Sequence, residues 1–569
     1  MLTTRSGTHT KASSCVPISR LHSFVAFGLD LYNTAYRRGR FDFKDPAVVS
    51  RLEPMVAVIG NTLYSSHMQV VAPGLKAAAA IVKCPLKSID KSLPVFIRQI
   101  IDIIRQAGST EPEHVQTALK SLATILRDHT GAQVKEKDLV YLLELLTPDL
   151  EEPARQAAVF TMLRAIIARR FVVPEIYDIM DKVAEIMVTN QSPSVQELCR
   201  GALLQFLLDY PQGKGRLRNQ MTFLVKNLSY AYESGRLSVM ELLGAMIAKF
   251  ESGLVQEYAD LLFVGLVMVI ANDESAKCRE VASELIKSLL TRLEQKQRNV
   301  IVSHIHTWAV QHTQAHLTRV SAQLYSLVVD FLKQDAVSYI PSILEDMNGI
   351  LARSAHALES AATTENGEEE VSLAQQWQAP YHALLAVSKI LREKPQLASE
   401  TEKVGWSSVV ALLLFPHAWV RTAACRLLGT LFATVPVTAP PEDDSLLSKD
   451  GLVEISTKLS LELKSENLDE PLSFQIVKNL FYIGKCFNAI EFRTANSADE
   501  DEGEDGEDDE YYEEQHDGGE RETSGTKDRH PLTTLFSKLS YQARSALIRR
   551  RSKARSTVSL HFILPQSQN

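Results

Sequence analysis

The chain has 569 residues, 45% of them apolar and 23% charged, an ordinary balance for a protein able to bury a large core. With only 25 glycines, 22 prolines and 7% aromatics, and few β-branched runs between turn signals, it disfavours a sandwich, a barrel or a large sheet enzyme. The net charge of −8 is local: residues 499–522 carry about −14 and residues 523–569 about +8, leaving a nearly neutral body whose charge says nothing of nucleic acid.

Residues 1–20 read as a disordered N-terminal stretch. Arg5, Lys11 and Arg20 precede the first acid, Asp30, as in an organellar presequence, but no apolar signal core follows. Six cysteines, Cys15, Cys84, Cys199, Cys278, Cys425 and Cys486, are widely spaced without a CxxC, which points to a reducing compartment. Cys199, Cys278 and Cys425 fall on the apolar faces of their segments, where a free thiol behaves as a small hydrophobe. The longest near-apolar run, Leu261 to Ala271, is short of the ~20 residues a bilayer requires, so no transmembrane helix and no membrane partner is expected.

From 21 to 490 apolar residues recur at three and four spacing, and the helices come in pairs. The second member of a pair starts in a recurring way: a polar residue, then a small one three positions on. Arg155 leads to Ala158, Gln196 to Cys199, Arg279 to Ala282, Arg319 to Ala322 and Arg421 to Ala424. The first four mark a beat of about 40, with one double interval, as in HEAT or armadillo arrays. The beat fails between Arg319 and Arg421, where the polar run 361–371 reads as a surface insertion. The fold expected is therefore all-α, a HEAT/armadillo-like solenoid of about ten helix pairs. Its small residues admit close helix approach, and Met162 and Leu203 fill the space between layers.

Beyond the array, 491–530 is too acidic to bury a core and reads as a disordered linker. A basic amphipathic helix is expected at 531–556, with Arg549, Arg550, Arg551, Lys553 and Arg555 as a targeting or nucleic-acid cluster, followed by a disordered tail at 557–569.

Chemistry-bearing motifs are weak. Tyr210 to Arg216 resembles a glycine-rich phosphate loop, but no strand precedes it and the Lys-Ser/Thr ending is absent. Lys214, Arg216 and Arg218 nonetheless gather positive charge in one loop and are candidate phosphate contacts. His304, His306, His312 and His316 cluster, and His312 with His316 could share a helix face as a metal pair, without a third ligand nearby. No catalytic residue, cofactor site or small-molecule substrate is assigned, and the expectation is a non-enzymatic protein.

Several stretches then match one family in order. They are Arg20 to Leu29 with Arg40 to Phe43, Arg169 to Ile176, Leu208 to Pro211, Asn272 to Leu290, Pro416 to Val420, Gln475 to Leu480 and Leu535 to Ser545. Together they resemble the C-terminal part of the down-regulated-in-metastasis, or U3 small nucleolar RNA-associated protein 20, family. The resemblance implies a HEAT-repeat scaffold of the small-subunit processome in the nucleolus. It implies partners in pre-rRNA, the U3 snoRNP and other assembly factors, and a role in 18S rRNA processing. Family members are several times longer, so the chain reads as a fragment or an incomplete gene model. A HEAT-repeat nuclear transport receptor or phosphatase-type adaptor is the alternative.

Overall fold

The computed structural model describes residues 18–311, 314–363, 367–400, 402–435, 446–464 and 468–501, with 18–20, 214, 363, 367–370 and 492–501 described as backbone only. Among the described residues there are twenty-two α-helices and no strand. Contacts divide the chain into two compact units, Met1–Arg292 and Leu293–Asn569.

The first unit holds α1 (Ile18–Arg37), α2 (Pro46–Thr62), α3 (Met68–Ile81), α4 (Ile89–Ala107), α5 (Glu113–Asp128), α6 (Glu136–Leu146) and α7 (Gln156–Ala168). It continues with α8 (Pro174–Thr189), α9 (Pro193–Asp209), α10 (Lys214–Lys226), α11 (Glu233–Lys249), α12 (Ser252–Asn272) and α13 (Ala276–Arg292). The odd-numbered helices pack successively on one another from α1 to α13; α2, α4, α8 and α12 lie against α3, α5, α9 and α13, while α6 and α10 pack on α8 and α12, giving two layers and six consecutive pairs after α1. The second unit holds α14 (Gln295–Ala309), α15 (Ala315–Leu332), α16 (Ile340–Thr363), α17 (Gly367–Gln375), α18 (Gln378–Glu393), α19 (Trp406–Ala411), α20 (Ala418–Thr434), α21 (Lys449–Glu462) and α22 (Glu470–Asp501). Here α15, α18, α20 and α22 form one row, paired with α14, α16, α19 and α21. The ten pairs agree with the all-α repeat fold read from the sequence.

Local chemistry sets these elements. Asp45 caps α2, its carboxylate accepting from the Ala47 amide at 2.8 Å, and Ser448 caps α21 by accepting from Gly451 at 3.1 Å. Pro174 and Pro193 occupy first helical positions, where a missing amide costs nothing. Gly108 ends α4 at φ 63°, a left-handed turn that favours glycine. The interior is the expected one: Ala158, Cys199, Ala282, Ala322 and Ala424 are all buried at the helix contacts, as are Met162 and Leu203. Cys84, Cys199, Cys278, Cys425 and Cys486 are free and buried; burial pushes the Cys199 and Cys425 thiols up to about 12, which keeps them protonated and unreactive.

The polar residue that opens the inner helices turns back onto the bend it has just left. Gln196 donates to the Asn190 carbonyl at 2.8 Å, and Arg236 to Tyr230 and Ala231 at 2.8 and 3.0 Å. Arg279 donates to Asp273 and Glu274 at 2.5 and 3.0 Å, and Arg421 to Phe415 and Pro416, both at 2.9 Å. Each is the fourth residue of its helix, so one side chain satisfies carbonyls that the bend leaves without partners. Arg236 is the missing beat inside the double interval. It escaped the sequence pattern because buried Val239, not a small residue, follows it.

Two boundaries and the length of one apolar helix differ from the sequence reading. The interruption before Arg421 is a long α16 followed by the short α17, so 361–363 and 367–370 are helical and not loop. α22 runs on to Asp501, past the expected array end at 490, because its early turns pack on α20 and α21 and carry the helix onward. α12 is long and apolar enough to cross a membrane by length and composition, since Glu257 and Asp260 are its only charges; more than half of its apolar stretch is buried against neighbouring helices, as in a core helix.

Candidate functional site

Lys214, Arg216 and Arg218 lie on the first turns of α10 and not in a loop, because Gly213 is already the N-cap residue. Positive side chains there oppose the helix dipole, so they are not placed for helix stability. Arg216 is engaged within the fold: its guanidinium stands 4.1 Å from the Tyr177 ring centroid and 4.0 Å from the Asp181 carboxylate. Burial raises the pKa of Asp181, and Arg216 counters it. Arg218 is exposed, and its charge acts on Tyr258 of α12. The structure thus brings Arg216 and Arg218 to one helix but gives them different neighbours. The preceding turn is structural: Tyr210 is buried, stacks on Phe206 and donates to the Phe171 carbonyl at 2.9 Å. Arg549, Arg550, Arg551, Lys553 and Arg555 lie outside the described residues.

The histidines disperse. His304 stacks on Trp308 and His306 bonds Asp346 at 2.9 Å, while His316 faces a different cavity; His312 lies outside the described residues. Among the described residues no three His, Cys, Asp or Glu side chains gather as a metal site.

The structure assembles a second polar centre, within the Leu293–Asn569 unit, from segments far apart in sequence. A cavity of about 390 Å³ opens between the start of α15, the middle of α16 and the start of α18. Its polar lining includes His316, Arg319, Arg353, Gln375, Gln376 and Gln378. Arg319 donates to the Gln378 side chain at 2.7 Å. Arg353 donates to the Ala309 carbonyl at 3.4 Å and forms no ion pair within 4 Å among the described residues; partial burial holds its pKa below the usual arginine value, against the opposing pull of Asp346.

Residues next in sequence to the cavity lining form an aromatic cluster. Trp377, between lining residues Gln376 and Gln378, stacks on His417 at 4.3 Å and 7°, two residues beyond lining Phe415. Trp419 meets Trp377 edge-on at 4.8 Å and 88°, and Tyr381 lies 5.9 Å from Trp419. Trp419 is 57% exposed, a large apolar ring left in water. Tyr381 is the fourth residue of α18, the position that holds the turn-binding arginine or glutamine elsewhere. A phenol cannot donate to two carbonyls, and here its ring packs on the two tryptophans instead. Sequence reasoning missed this centre because its residues fall in four segments; the signal available was the departure from the Arg/Gln pattern at Tyr381.

The carboxylates nearby are already engaged: Asp330 by Lys389 and by Arg392 at 2.9 Å, Asp346 by His306 and Tyr325, and Glu462 by Arg421 at 2.6 Å. His382 is pushed down to about 4, first by burial and then by Arg319 and Lys389, and His417 is lowered by burial and by Arg421. Among the described residues the corner is therefore cationic and aromatic, with the His382 and His417 imidazoles neutral at pH 7.

No family model matches the chain. The U3 small nucleolar RNA-associated protein 20 of Schizosaccharomyces pombe is 34% identical over 458 residues, 79% of this chain and 18% of that protein. The protein of the same name from Saccharomyces cerevisiae is 32% identical over 468 residues, 80% of this chain and 17% of that protein. The chain thus spans less than a fifth of the length of these relatives, and over the matched stretch it is homologous to them. Among solved structures, that of Kap121p bound to Nup53p aligns with a TM-score of 0.39 at 14% identity, over 84% of this chain and 50% of that one.

Proposed function

We propose that this chain, homologous over about four fifths of its length to the U3 small nucleolar RNA-associated protein 20 family, is a segment of a non-enzymatic scaffold of the small-subunit processome. In this reading it works in the nucleolus, binds pre-rRNA, the U3 snoRNP and other assembly factors, and supports processing toward 18S rRNA and the 40S subunit. The observation that carries the reading is the collinear match to two relatives at about one-third identity. Paired helices that bury one face against the next layer leave extended outer faces, which suit multiple macromolecular contacts better than a single substrate pocket.

The test is gradient sedimentation of the tagged chain from nuclear lysate, with and without ribonuclease. Sedimentation with a large particle containing pre-18S RNA, lost after ribonuclease, is the expected result. A light peak indifferent to ribonuclease and bound to a small GTPase would overturn it in favour of a transport receptor.

A further inference from the structure

The cationic cavity and the aromatic cluster of α15, α16, α18 and α20 adjoin along the chain, since lining residues Gln376 and Gln378 flank Trp377 and lining Phe415 lies two residues before His417, and their chemistries are complementary halves of a nucleotide. We infer that this corner binds a nucleotide unit of a single RNA strand, a base lying against Trp419 and its neighbouring rings and a phosphate held by Arg353 beside Arg319. The inference rests on the scaffold reading only for the choice of RNA as the strand; the site itself is argued from its residues.

Three observations carry it. Trp419 keeps more than half of its surface in water while being held edge-on by Trp377 and His417, at 88° and 82°, so a rigid ring is presented without being buried. Aromatic platforms of this kind stack bases irrespective of sequence. Arg353 reaches the cavity with one long backbone hydrogen bond and no ion pair within 4 Å among the described residues; partial burial disfavours its charge more than the longer-range attraction of Asp346 favours it. An anion would restore what that burial removes. Finally, among the described residues the acids around the corner already have partners: Asp330 has Lys389 and Arg392, Glu462 has Arg421, and Asp346 has His306 and Tyr325. A cationic ligand, such as a methylated lysine, would find the aromatic rings but no unengaged carboxylate among the described residues. A ligand offering phosphate alone would leave the exposed tryptophan unused.

The test uses the full chain and fluorescent ten-nucleotide single-stranded RNA, with an abasic ten-mer, an RNA duplex and a mononucleotide as further probes. The single strand should bind, and Trp419→Ala should weaken it about 5- to 100-fold, the range for losing one stacked base. Trp419→Phe should retain most of the affinity, Arg353→Gln should weaken binding and flatten its salt dependence, and the abasic strand should bind poorly. Unchanged affinity in both Trp419→Ala and Arg353→Gln, or equal binding of the abasic strand, would overturn the inference. A mononucleotide binding as tightly as the strand would overturn it in favour of a free-nucleotide site, and a phosphopeptide competing fully would overturn it in favour of a peptide. If a variant loses helicity, the Trp419→Phe and abasic measurements decide. Unaltered RNA affinity in these variants sinks the site while leaving the sedimentation result to judge the scaffold. A chain that fails to enter the particle yet binds RNA through Trp419 sinks the scaffold reading alone.

Discussion

Arg236 and Asp273, thirty-seven residues apart in the chain, are joined by two parallel hydrogen bonds of 2.7 and 3.0 Å, with the Asp273 side chain only 4% exposed. The third arm of the guanidinium holds Tyr230 and Ala231, and Asp273 itself caps the bend before α13 by accepting from Ser275 at 2.8 Å. One arginine thus ties its own bend to the next repeat. Arg236→Leu leaves a buried carboxylate and two carbonyls unmatched, and should cost about 3–5 kcal/mol, read as a lower urea midpoint. In a double-mutant cycle with Asp273→Asn the losses should be clearly less than additive. The exposed pair Lys287–Glu284 is the control, and Glu284→Ala should change stability by no more than about 1 kcal/mol.

Close approach of backbones gives a second test. A Cβ on Gly235 would run into the Val188 carbonyl and the Tyr230 ring, and the carbonyl belongs to a packed helix that cannot swing aside. Gly201, in the middle of α9, has nothing within 4 Å of the same position. Gly201→Ala should therefore stabilise the chain by up to about 1 kcal/mol, the helix-propensity difference. Gly235→Ala should destabilise it by about 1–3 kcal/mol through overpacking. Thermal melts of the two variants should move in opposite directions.

The array was legible in the sequence because burial imposes a period. Ala158, Cys199, Ala282, Ala322 and Ala424 recur where helices must approach closely, and all are buried. Arg236 was illegible for the same reason in reverse: Val239 replaces the small residue, and only the hydrogen bonds to Tyr230 and Ala231 reveal the shared role. The Trp377, Tyr381, His417 and Trp419 cluster has no period, since it forms between neighbouring pairs and imposes no spacing within either. The α10 arginines were visible as charge, but charge alone did not distinguish Arg216, engaged with Tyr177 and Asp181, from exposed Arg218.

That difference is measurable. If α10 contacts phosphate, Arg218→Gln should lower the slope of log K against log salt by about 0.7–0.9 for RNA binding between 50 and 200 mM salt, the worth of one phosphate contact. Lys214→Gln should do the same. Arg216→Gln should leave the slope nearly unchanged and instead lower stability by about 0.5–1 kcal/mol, the worth of its contact with the Tyr177 ring. Equal slopes in the parent and the Lys214 and Arg218 variants would remove α10 from the RNA-binding surface.

His382 supplies a pH test. It is half-buried on α18, faces Arg319 of α15 and Lys389 of its own helix, and touches Tyr381; burial first and the two cations second push it down to about 4. The unfolded chain protonates this imidazole near 6.5, and the folded chain only near 4. Between those values the unfolded state holds more protons, so stability rises with pH through the window. The contribution is complete above about pH 6.5 and is lost as pH falls toward 4, amounting to about 3 kcal/mol at its limit. His382→Gln removes the titration but not the polar volume. Urea midpoints at pH 4.5, 5.5 and 7 should therefore fall less steeply in the variant than in the parent. Carboxylates that titrate in the same range are common to both proteins, so the difference between the two slopes isolates His382; parallel slopes would show that the imidazole is protonated as readily in the fold as in water.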